Sequence, residues 1–308
     1  MLEFLPEGFN SSELFFNSES LLLQSQSMGK ILEAKAIMCD SDHNLIVDLG
    51  NTKGIIPRSE AAFEFNGEKI KDIAIISRVN KPVCFKVLRV EKNNNKAKFI
   101  LSRRLAQKSC FENKISRLCS GDVIDAMVTH LENFGAFVDI GCGIVSFLPI
   151  DTISVSRISH PNERFKNGMK IKVIVKSISK DRVNLTHKEL LGTWEQNSDQ
   201  FDIGETVSGI VRSIEDYGIF VELTPNLAGL AEPKEGIKIG QQISVYIKNI
   251  IPEKMKIKLV IIESFDSKPK VSIPKYFFQG SHMDKFIYSP MSCQKIIETN
   301  FSKNLVQV

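Results

Sequence analysis

Two pairs of aromatic residues recur at the same spacing in this chain. Phe134 and Phe137 form the first pair, and Tyr217 and Phe220 form the second. Residues three apart on a regular strand face opposite sides, but a glycine follows the first ring of each pair and permits a bulge that would bring both rings to one face. Exposed rings are platforms on which nucleic-acid bases stack with little regard to base identity. The spacing therefore indicates ligand binding through stacking.

Basic residues lie on the strands expected beside these rings, where they could neutralise phosphates. They are Lys170, Lys172, Lys176 and Arg182 in the middle of the chain, and Lys254, Lys256 and Lys258 in the last third. Arg212 lies on the first strand of the last repeat and could flank the second ring pair. For any single lysine, a solvated surface role is the competing interpretation, because an isolated surface charge is a weak signal.

The ring pairs lie inside an internal repeat. Residues 121–140 read GDVIDAMVTHLENFGAFVDI, and residues 204–223 read GETVSGIVRSIEDYGIFVEL. A fainter copy at 42–50, DHNLIVDLG, keeps the Val-acid-Leu-Gly ending but lacks both aromatic residues. The chain therefore contains three repeats, of which the first is degenerate.

Each repeat contains several short runs in which apolar and polar residues alternate between glycine-marked turns, a pattern that is typical of β-strands. About five antiparallel strands per repeat suit a small closed barrel, because closure removes the exposed sheet edges. The segments 105–119 and 186–201 have helical spacing. We therefore predict an all-β fold of tandem five-stranded barrels, joined by short helical linkers.

The predicted domains follow from these patterns. They are an N-terminal segment 1–26 that could contain a short helix after Ser18, a degenerate barrel 27–104, a barrel 120–190, a shorter barrel 203–264 and a partly ordered tail 265–308. In the shorter barrel, the helical turn between the third and fourth strands is expected to be missing. Trp194, the only tryptophan, is predicted to pack at a linker junction.

Composition and charge limit the classes to which this protein can belong. The chain has 308 residues, of which 43% are hydrophobic, so wholesale disorder is excluded. No apolar run is long enough for a transmembrane helix, and we find no secretory signal, so we expect a cytoplasmic protein without membrane association. The net charge is +4. Residues 27–104 carry fifteen basic and nine acidic residues, a local net charge of +6, so any electrostatic footprint is strongest there.

Sequence motifs for catalysis and metal binding are missing. The six cysteines contain no C-x-x-C pair, which disfavours a zinc ribbon. The sequence has no phosphate-binding G-x-x-x-x-G-K-[ST] loop, no G-x-S-x-G and no H-E-x-x-H. Asp139 and Glu222 recur after the ring pairs, and we interpret them as neighbours that tune the aromatic face, not as catalytic carboxylates. We predict no catalytic residue, no metal site and no cofactor.

The repeated pattern resembles the opening of the RNA-binding repeat of bacterial ribosomal protein S1. In the second repeat, residues 160–163, HPNE, followed by 168–171, GMKI, are similar to the family's turn between the third and fourth strands. The resemblance covers about 27–264 and is strongest in the second and third repeats. It implies a short three-repeat relative of that family, built of OB-fold barrels that bind single-stranded RNA.

The resemblance also implies roles for individual residues. It assigns base stacking to the two ring pairs and a basic contact on the fifth strand to Arg182 and Lys256. The histidine that many members carry after the third strand is replaced here by Pro149 and Glu232. Taken with the basic candidates above, the predicted RNA-binding residues are Phe134, Phe137, His160, Lys172, Arg182, Arg212, Tyr217, Phe220, Lys256 and Lys258.

We therefore predict a non-enzymatic protein that binds single-stranded RNA, including messenger RNA, and acts in translation with the small ribosomal subunit. One alternative is an RNA-binding regulator or accessory of RNA decay or transcription, since barrels of this type occur in such proteins and fold does not determine function. Another is an enzyme or a scaffold, and the scaffold requires that the four rings belong to the core. The oligomeric state is left open.

Overall fold

The computed structural model describes residues 4–9, 19–64, 70–93, 96–179, 182–265 and 271–302. By their contacts, the residues divide into two compact units. Unit 1 comprises Met1–Leu118, Asp125–Thr129 and Val138–Ser146, and unit 2 comprises Cys119–Ile124, His130–Phe137 and Phe147–Val308. A short helix was expected after Ser18. Ser18 itself lies outside the described residues, and α1 (Glu19–Ser27) begins directly after it.

The strands form three closed barrels of five strands each. Barrel 1 consists of β1 (Leu32–Cys39), β2 (Leu45–Asp48), β3 (Lys53–Ile56), β4 (Pro82–Asn93) and β5 (Lys96–Ser102). Barrel 2 consists of β6 (Val123–Glu132), β7 (Gly135–Asp139), β8 (Val145–Pro149), β9 (Lys170–Ser179) and β10 (Arg182–Thr186). Barrel 3 consists of β11 (Thr206–Glu215), β12 (Gly218–Thr224), β13 (Leu227–Ala231), β14 (Gln242–Ile251) and β15 (Lys256–Phe265).

All three barrels share one strand order. Around each sheet, the first strand is followed by the second, the third, the fifth and the fourth. The third and fifth strands pair in parallel. In barrel 3, the pairs on either side, β12 with β13 and β14 with β15, are antiparallel. The predicted all-β fold of tandem five-stranded barrels is confirmed.

Side-chain alternation explains why these runs form barrel strands. On β15, Ile257, Leu259 and Ile261 are buried, whereas Lys256 and Lys258 between them are exposed. The buried residues join the core of barrel 3 with aliphatic residues of the other four strands: Val211, Ile219, Val221, Leu227, Ile243 and Val245. Removal of this apolar surface from water stabilises the barrel by roughly 25 cal/mol per Å².

The connection between the third and fourth strands differs among the barrels. Barrel 1 carries a 3-10 turn, Arg58–Glu60, and the short helix α2 (Asp72–Ile76), whereas barrel 2 carries two 3-10 turns, Ile150–Thr152 and Pro161–Glu163. In barrel 3 the corresponding residues 232–241, all of which the structure describes, contain no helix. The helical turn expected to be missing from the third repeat is therefore missing.

The first linker, between barrels 1 and 2, contains the helix α3 (Arg103–Asn113). The helix begins after Ser102, whose hydroxyl accepts a hydrogen bond of 2.9 Å from the backbone N–H of Leu105. This contact satisfies one of the N–H groups that a helix start leaves without an intrahelical partner. No described helix of the chain is long and apolar enough to cross a membrane.

The second linker is a broken helix, because Gly192 interrupts it. A 3-10 turn, Lys188–Leu191, precedes Gly192, and α4 (Trp194–Ser198) follows it. Gly192 has a φ of 89°, and a Cβ there would lie 2.7 Å from the ring of Phe277. Both the backbone conformation and the close ring exclude a larger residue, so the helical spacing of 186–201 does not produce one continuous helix.

Trp194 and the tail meet in the core of barrel 3. The indole is buried in the same apolar cluster as Tyr288, and its backbone N–H donates to the carbonyl of Tyr288 at 2.9 Å. The hydroxyl of Tyr288 donates to the carbonyl of Asn226 at 2.6 Å. The predicted position of Trp194 at a linker junction is confirmed, and the tail is part of that junction.

The tail also packs on barrel 2 within unit 2. Met283 and Phe301 are buried in a cluster with Ile174 of β9 and Leu190 of the second linker. Two short strands, β16 (Lys285–Ile287) and β17 (Glu298–Asn300), pair in the tail as an antiparallel ladder. Apolar burial therefore orders this part of the tail.

His187 anchors the start of the tail. Burial lowers the pKa of His187 to about 4, so the ring is neutral near pH 7. Its Nδ1 lies 2.8 Å from the carbonyl of Ile153, where the neutral ring donates, and its Nε2 lies 3.3 Å from the hydroxyl of Tyr276. That hydroxyl donates to Nε2 and accepts a hydrogen bond of 2.9 Å from the backbone N–H of Lys172.

In unit 1, Asp139 holds the N-terminal segment. Its carboxylate accepts hydrogen bonds from the backbone N–H groups of Glu7, Gly141 and Gly143. Glu7 in turn accepts two hydrogen bonds from the guanidinium of Arg103, at 2.7 and 2.9 Å. Burial, together with the nearby Glu7 carboxylate, raises the pKa of Asp139 above its ordinary value, while the N–H donors of Glu7 and Gly141 and the charge of Arg103 oppose that rise. Through these contacts of Glu7, residues 4–9 are attached to β7 and to α3.

In unit 2, Glu222 of barrel 3 is the residue that corresponds to Asp139 in the repeat. Its carboxylate accepts a hydrogen bond of 2.6 Å from Nε of Arg212 and a second one from Arg164. Arg212 also pairs with Glu163. Although burial raises the pKa of Glu163, hydrogen bonds from Ser159 and the charge of Arg212 hold it below its ordinary value.

The two repeated acids therefore have a different role from the one we predicted. Asp139 and Glu222 do not sit exposed beside the aromatic face, since both side chains are buried and bind neighbouring segments. A carboxylate can be buried only where charges or N–H groups compensate its lost hydration. In the second and third repeats, this acid attaches a segment from outside its own barrel.

We expect Glu222→Ala to destabilise unit 2 by about 3–5 kcal/mol, because it leaves the guanidinium groups of Arg212 and Arg164 without their shared partner. Chemical denaturation followed by the fluorescence of the only tryptophan, Trp194, measures this loss. Glu263→Ala, at an exposed position of β15, is the control and should change stability by less than about 0.5 kcal/mol. A cost below about 1 kcal/mol for Glu222→Ala would contradict the assignment.

Candidate nucleic-acid interface

The two ring pairs have the same geometry in barrels 2 and 3. The ring centroids of Phe134 and Phe137 are 6.2 Å apart with an interplanar angle of 89°, and those of Tyr217 and Phe220 have the same two values. Phe134 is 58% exposed and Tyr217 is 67% exposed, while their partners are half-buried. In each barrel the two rings therefore lie together at the surface, edge to face.

The first ring of each pair lies in a hairpin turn. It therefore does not follow the alternation of side chains between the two faces of a strand. In barrel 3, Glu215 pairs with Gly218, which leaves Asp216 and Tyr217 as the two-residue turn. Phe134 likewise lies in the turn before β7. The register shift that we expected beside the glycine is instead on β11, between Val211 and Ser213, so the turn explains why both rings share a face.

The glycine after each first ring leaves room for a side chain of the next strand. A Cβ at Gly135 would lie 2.4 Å from the carbonyl oxygen of Leu148 and 2.7 Å from the ring of Phe147. A Cβ at Gly218 would lie 2.6 Å from the carbonyl oxygen of Ala231 and 2.8 Å from Leu230 Cδ1. Both distances are shorter than any tolerable contact, so only glycine fits.

In barrel 3, Phe220 is one member of a row of residues that are paired across neighbouring strands. Phe220 pairs with Leu230, Leu230 pairs with Lys258 in parallel, and Lys258 pairs with Asn249. We call the five residues across the sheet the front row of barrel 3: Ser213, Phe220, Leu230, Lys258 and Asn249. Lys258 is exposed and is separated from Phe220 in this row by Leu230. Lys256 lies two residues before Lys258 on the same side of β15.

The front row of barrel 2 consists of His130, Phe137, Phe147, Asn184 and Ser177. Phe147 pairs with Asn184, whose side-chain amide donates to the hydroxyl of Ser177 at 3.0 Å. Arg182 is exposed two residues before Asn184 on β10. Phe147 is not among the RNA-binding residues predicted from the sequence. It lies between the buried Ser146 and Leu148 on β8, an alternation that predicts an outward ring.

The structure places the other three predicted site residues outside the front rows. The ring of His160 caps a 3-10 turn by accepting a hydrogen bond of 3.0 Å from the backbone N–H of Asn162. Lys172 is exposed on β9, five residues before Ser177. Arg212 is largely buried and bound by Glu222 and Glu163. A role for these three residues in RNA binding stays a prediction.

Barrel 1 carries an aliphatic front row. Met38 pairs with Ile46, Ile46 with Ile55, Ile55 with Ile100 and Ile100 with Arg89. His43, in the turn where the other barrels have their first ring, has a φ of 61° and lies 3.9 Å from the carboxylate of Asp72. The first repeat is degenerate, as predicted, because this row contains no aromatic ring.

Among the residues that the structure describes, no group of three or more His, Cys, Asp or Glu side chains is arranged to hold a metal ion. The candidate site therefore consists of rings, basic residues and amides on the outer faces of barrels 2 and 3. Such a surface can stack bases and neutralise phosphates.

Comparisons with known proteins show what this chain resembles. Residues 118–188 match the family model of the S1 RNA binding domain. The chain is also 30% identical over 262 residues to the small ribosomal subunit protein bS1 of Staphylococcus aureus (strain COL), a match that covers 79% of this chain and 64% of that protein. The chain is a three-barrel relative of bS1.

A second bS1 protein, from Leuconostoc lactis, is 29% identical over 260 residues, which cover 79% of this chain and 58% of that protein. The chain thus spans less than two thirds of the length of either bS1 protein. Among solved structures, a multidomain protein with nucleic acid binding domains from Streptococcus pneumoniae TIGR4 matches 76% of this chain and 74% of its own, at 14% identity. The TM-score of that match is 0.26.

We expect Gly135→Ala to cost about 1–3 kcal/mol in stability, as overpacked sites do, because the new methyl group overlaps the Phe147 ring and the Leu148 carbonyl. Thermal unfolding followed by circular dichroism measures the loss. Ser179→Ala, at an exposed position of β9, is the control and should unfold like the wild type. A Gly135→Ala protein that is as stable as the control would show that the strand gap is wider than described.

Proposed function

We propose that this protein is a non-enzymatic, cytoplasmic protein that binds single-stranded RNA, including messenger RNA, and acts in translation on the small ribosomal subunit. Barrels 2 and 3 bind the RNA through their front rows and turn rings. Barrel 1 provides a protein-binding face. The observation that carries the proposal is the recurrence of one ring geometry, 6.2 Å and 89°, on the surfaces of two barrels.

The exposure of the rings supports stacking over a core role. Aromatic residues that serve only to fill a barrel are buried, as Phe85 and Phe99 are in barrel 1. Phe134 and Tyr217 are more than half exposed, and the strand residues that fill the interior of barrel 3 are aliphatic. Each exposed ring can stack a base, which is worth about 1–3 kcal/mol.

The basic residues beside the rings support a nucleic-acid ligand. Lys258 lies in the front row of barrel 3, and Arg182 lies next to that of barrel 2. Both are exposed, so each can neutralise a phosphate while the rings hold the bases. Single strands are the expected form of RNA, because their bases can splay out onto rings, whereas duplex RNA hides its base edges.

Two binding barrels on one chain also raise the affinity. Once one barrel holds the RNA, the second barrel binds the same strand at a high effective concentration. Two individually weak modules therefore bind a strand tightly when it is long enough to reach both. This arrangement suits a protein that holds long RNA without recognising a particular sequence.

The link to translation rests on the similarity to bS1 and on barrel 1. The bS1 proteins are named as small ribosomal subunit proteins. In barrel 1, Met38 is 52% exposed beside the half-buried Ile46 and Ile55. Such an aliphatic face offers no stacking platform for bases but suits contact with a protein surface.

We expect paired alanine substitutions of the rings to weaken RNA binding. Phe134→Ala with Phe137→Ala, or Tyr217→Ala with Phe220→Ala, should each reduce the affinity for a labelled single-stranded RNA of about twelve nucleotides by tenfold or more. Fluorescence anisotropy at several salt concentrations measures the affinity. For the wild type, log K should fall with log salt at a slope of about −0.7 per phosphate contacted.

The control for this experiment is Phe265→Ala, an exposed aromatic residue at the end of β15. It should leave the affinity unchanged. Circular dichroism and Trp194 fluorescence monitor the fold of every variant. Wild-type protein that fails to bind even at low salt, or ring variants that unfold, would support the scaffold alternative.

We expect Met38→Ser combined with Ile46→Thr to reduce binding to isolated small ribosomal subunits by about tenfold, which corresponds to about 1.4 kcal/mol of lost apolar contact. Co-sedimentation with subunits stripped of messenger RNA measures it. Affinity for free RNA should not change, because the front rows of barrels 2 and 3 are intact.

Ile73→Thr is the matched control, since Ile73 is 68% exposed on α2 outside the front row of barrel 1. It should co-sediment like the wild type. Wild-type protein that binds RNA but not the subunit would favour the alternative of an RNA-decay or transcription accessory.

A further inference from the structure

Barrel 2 carries two more rings around its pair than barrel 3 does. The centroid of Phe147 lies 5.3 Å from that of Phe137 and 5.6 Å from that of Phe134. His130 lies on the other side of Phe137, at 6.4 Å and with an interplanar angle of 26°. Four rings are therefore contiguous on the surface of barrel 2.

The equivalent positions of barrel 3 carry no ring. In the ungapped alignment of the repeats, His130 corresponds to Ser213 and Phe147 corresponds to Leu230. The pairs Ser213–Phe220 and Phe220–Leu230 place these two residues on either side of the central ring of barrel 3. The two barrels thus share one framework and differ in how many rings it presents.

The surroundings of Phe147 show that it is not a core residue. The interior side of β8 is occupied by Ser146 and Leu148, both buried, while Phe147 is half-buried between them. Its partner across the parallel pair is the exposed Asn184. The ring therefore lies on the outer sheet surface, where one side contacts the ring pair and the rest faces the space in which a ligand strand would lie.

We propose that Phe147 is a third stacking platform and makes barrel 2 the dominant RNA-binding barrel of the chain. This inference rests on the proposed function. Phe134, Phe137 and Phe147 together receive one base more than the pair in barrel 3 does. The residue at this place in the front row, Phe147 or Leu230, determines how tightly each barrel binds.

The framework allows the two residues to be exchanged. Gly135 lies beneath the Phe147 ring, and Gly218 lies beneath Leu230 in the same relation. A phenylalanine at position 230 can therefore lie across Gly218 as Phe147 lies across Gly135. Conversely, a leucine at position 147 fills the same place with an aliphatic side chain and keeps the strand pairing.

The test uses the full chain and three variants, Phe147→Leu, Leu230→Phe and the control Phe265→Leu. The probe is a labelled single-stranded RNA of about twelve nucleotides, followed by fluorescence anisotropy. Loss of one stacked base corresponds to a change in affinity of about 5- to 150-fold. We expect Phe147→Leu to bind at least about fivefold more weakly, Leu230→Phe to bind more tightly, and the control to match the wild type.

A second readout reports stacking itself. RNA in which single adenines are replaced by a fluorescent adenine analogue loses emission wherever a base stacks on a ring. Wild-type protein should quench one position more than Phe147→Leu does. Leu230→Phe should quench one position more than the wild type, and this gain does not depend on whether Phe147→Leu folds.

The outcomes separate this inference from the proposed function. If the wild type binds RNA and Phe147→Leu binds equally well with the same quenching pattern, the third platform is wrong while the proposed function stands. If the wild type does not bind RNA at all, the proposed function fails and the inference falls with it. Weaker binding by Phe147→Leu together with tighter binding by Leu230→Phe supports the inference.

Discussion

The close approach of two strands at one glycine is the constraint on which the candidate interface depends. Gly135 and Gly218 lie so near the following strand that a Cβ would fall 2.4 and 2.6 Å from its carbonyl oxygens. Because no side chain separates the strands there, the residue opposite can lie flat across the glycine, and the ring in the preceding turn comes to the same face. Both consequences recur in barrels 2 and 3, which accounts for the identical geometry of their ring pairs.

One framework carries three different surfaces. The five strands and their order are the same in every barrel, but the front row is aliphatic in barrel 1, aromatic in barrel 2, and mixed with a lysine in barrel 3. Barrel closure accounts for this freedom, because the interior alternation stabilises each barrel while the outward residues are left to vary. The proposed division of work, with one barrel for a protein and two for RNA, therefore needs no change of fold.

The buried acids show how the repeats are attached to other segments. Asp139 and Glu222 lie two residues after the central ring, on the same side of the strand, yet both are buried. Asp139 binds the backbone at Glu7, and Glu222 binds the guanidinium groups of Arg164 and Arg212. A buried charge is costly unless it is fully compensated. Each acid therefore specifies where its neighbouring segment must lie. That segment covers the acid two residues beyond the central ring, while the ring in the turn stays exposed.

The sequence by itself determined the three barrels, the degenerate first repeat and the recurrence of the ring pairs, because alternation and repetition are local patterns that the chain carries in its order. The tertiary structure alone decided which residues stand beside the rings. Phe147 meets Asn184 through a parallel pair of strands, and Arg212 meets Glu163, 49 residues earlier in the chain, through a buried contact. Such neighbours come from distant segments, so no local pattern reveals that Phe147 lies beside Asn184 or that Arg212 forms a buried ion pair.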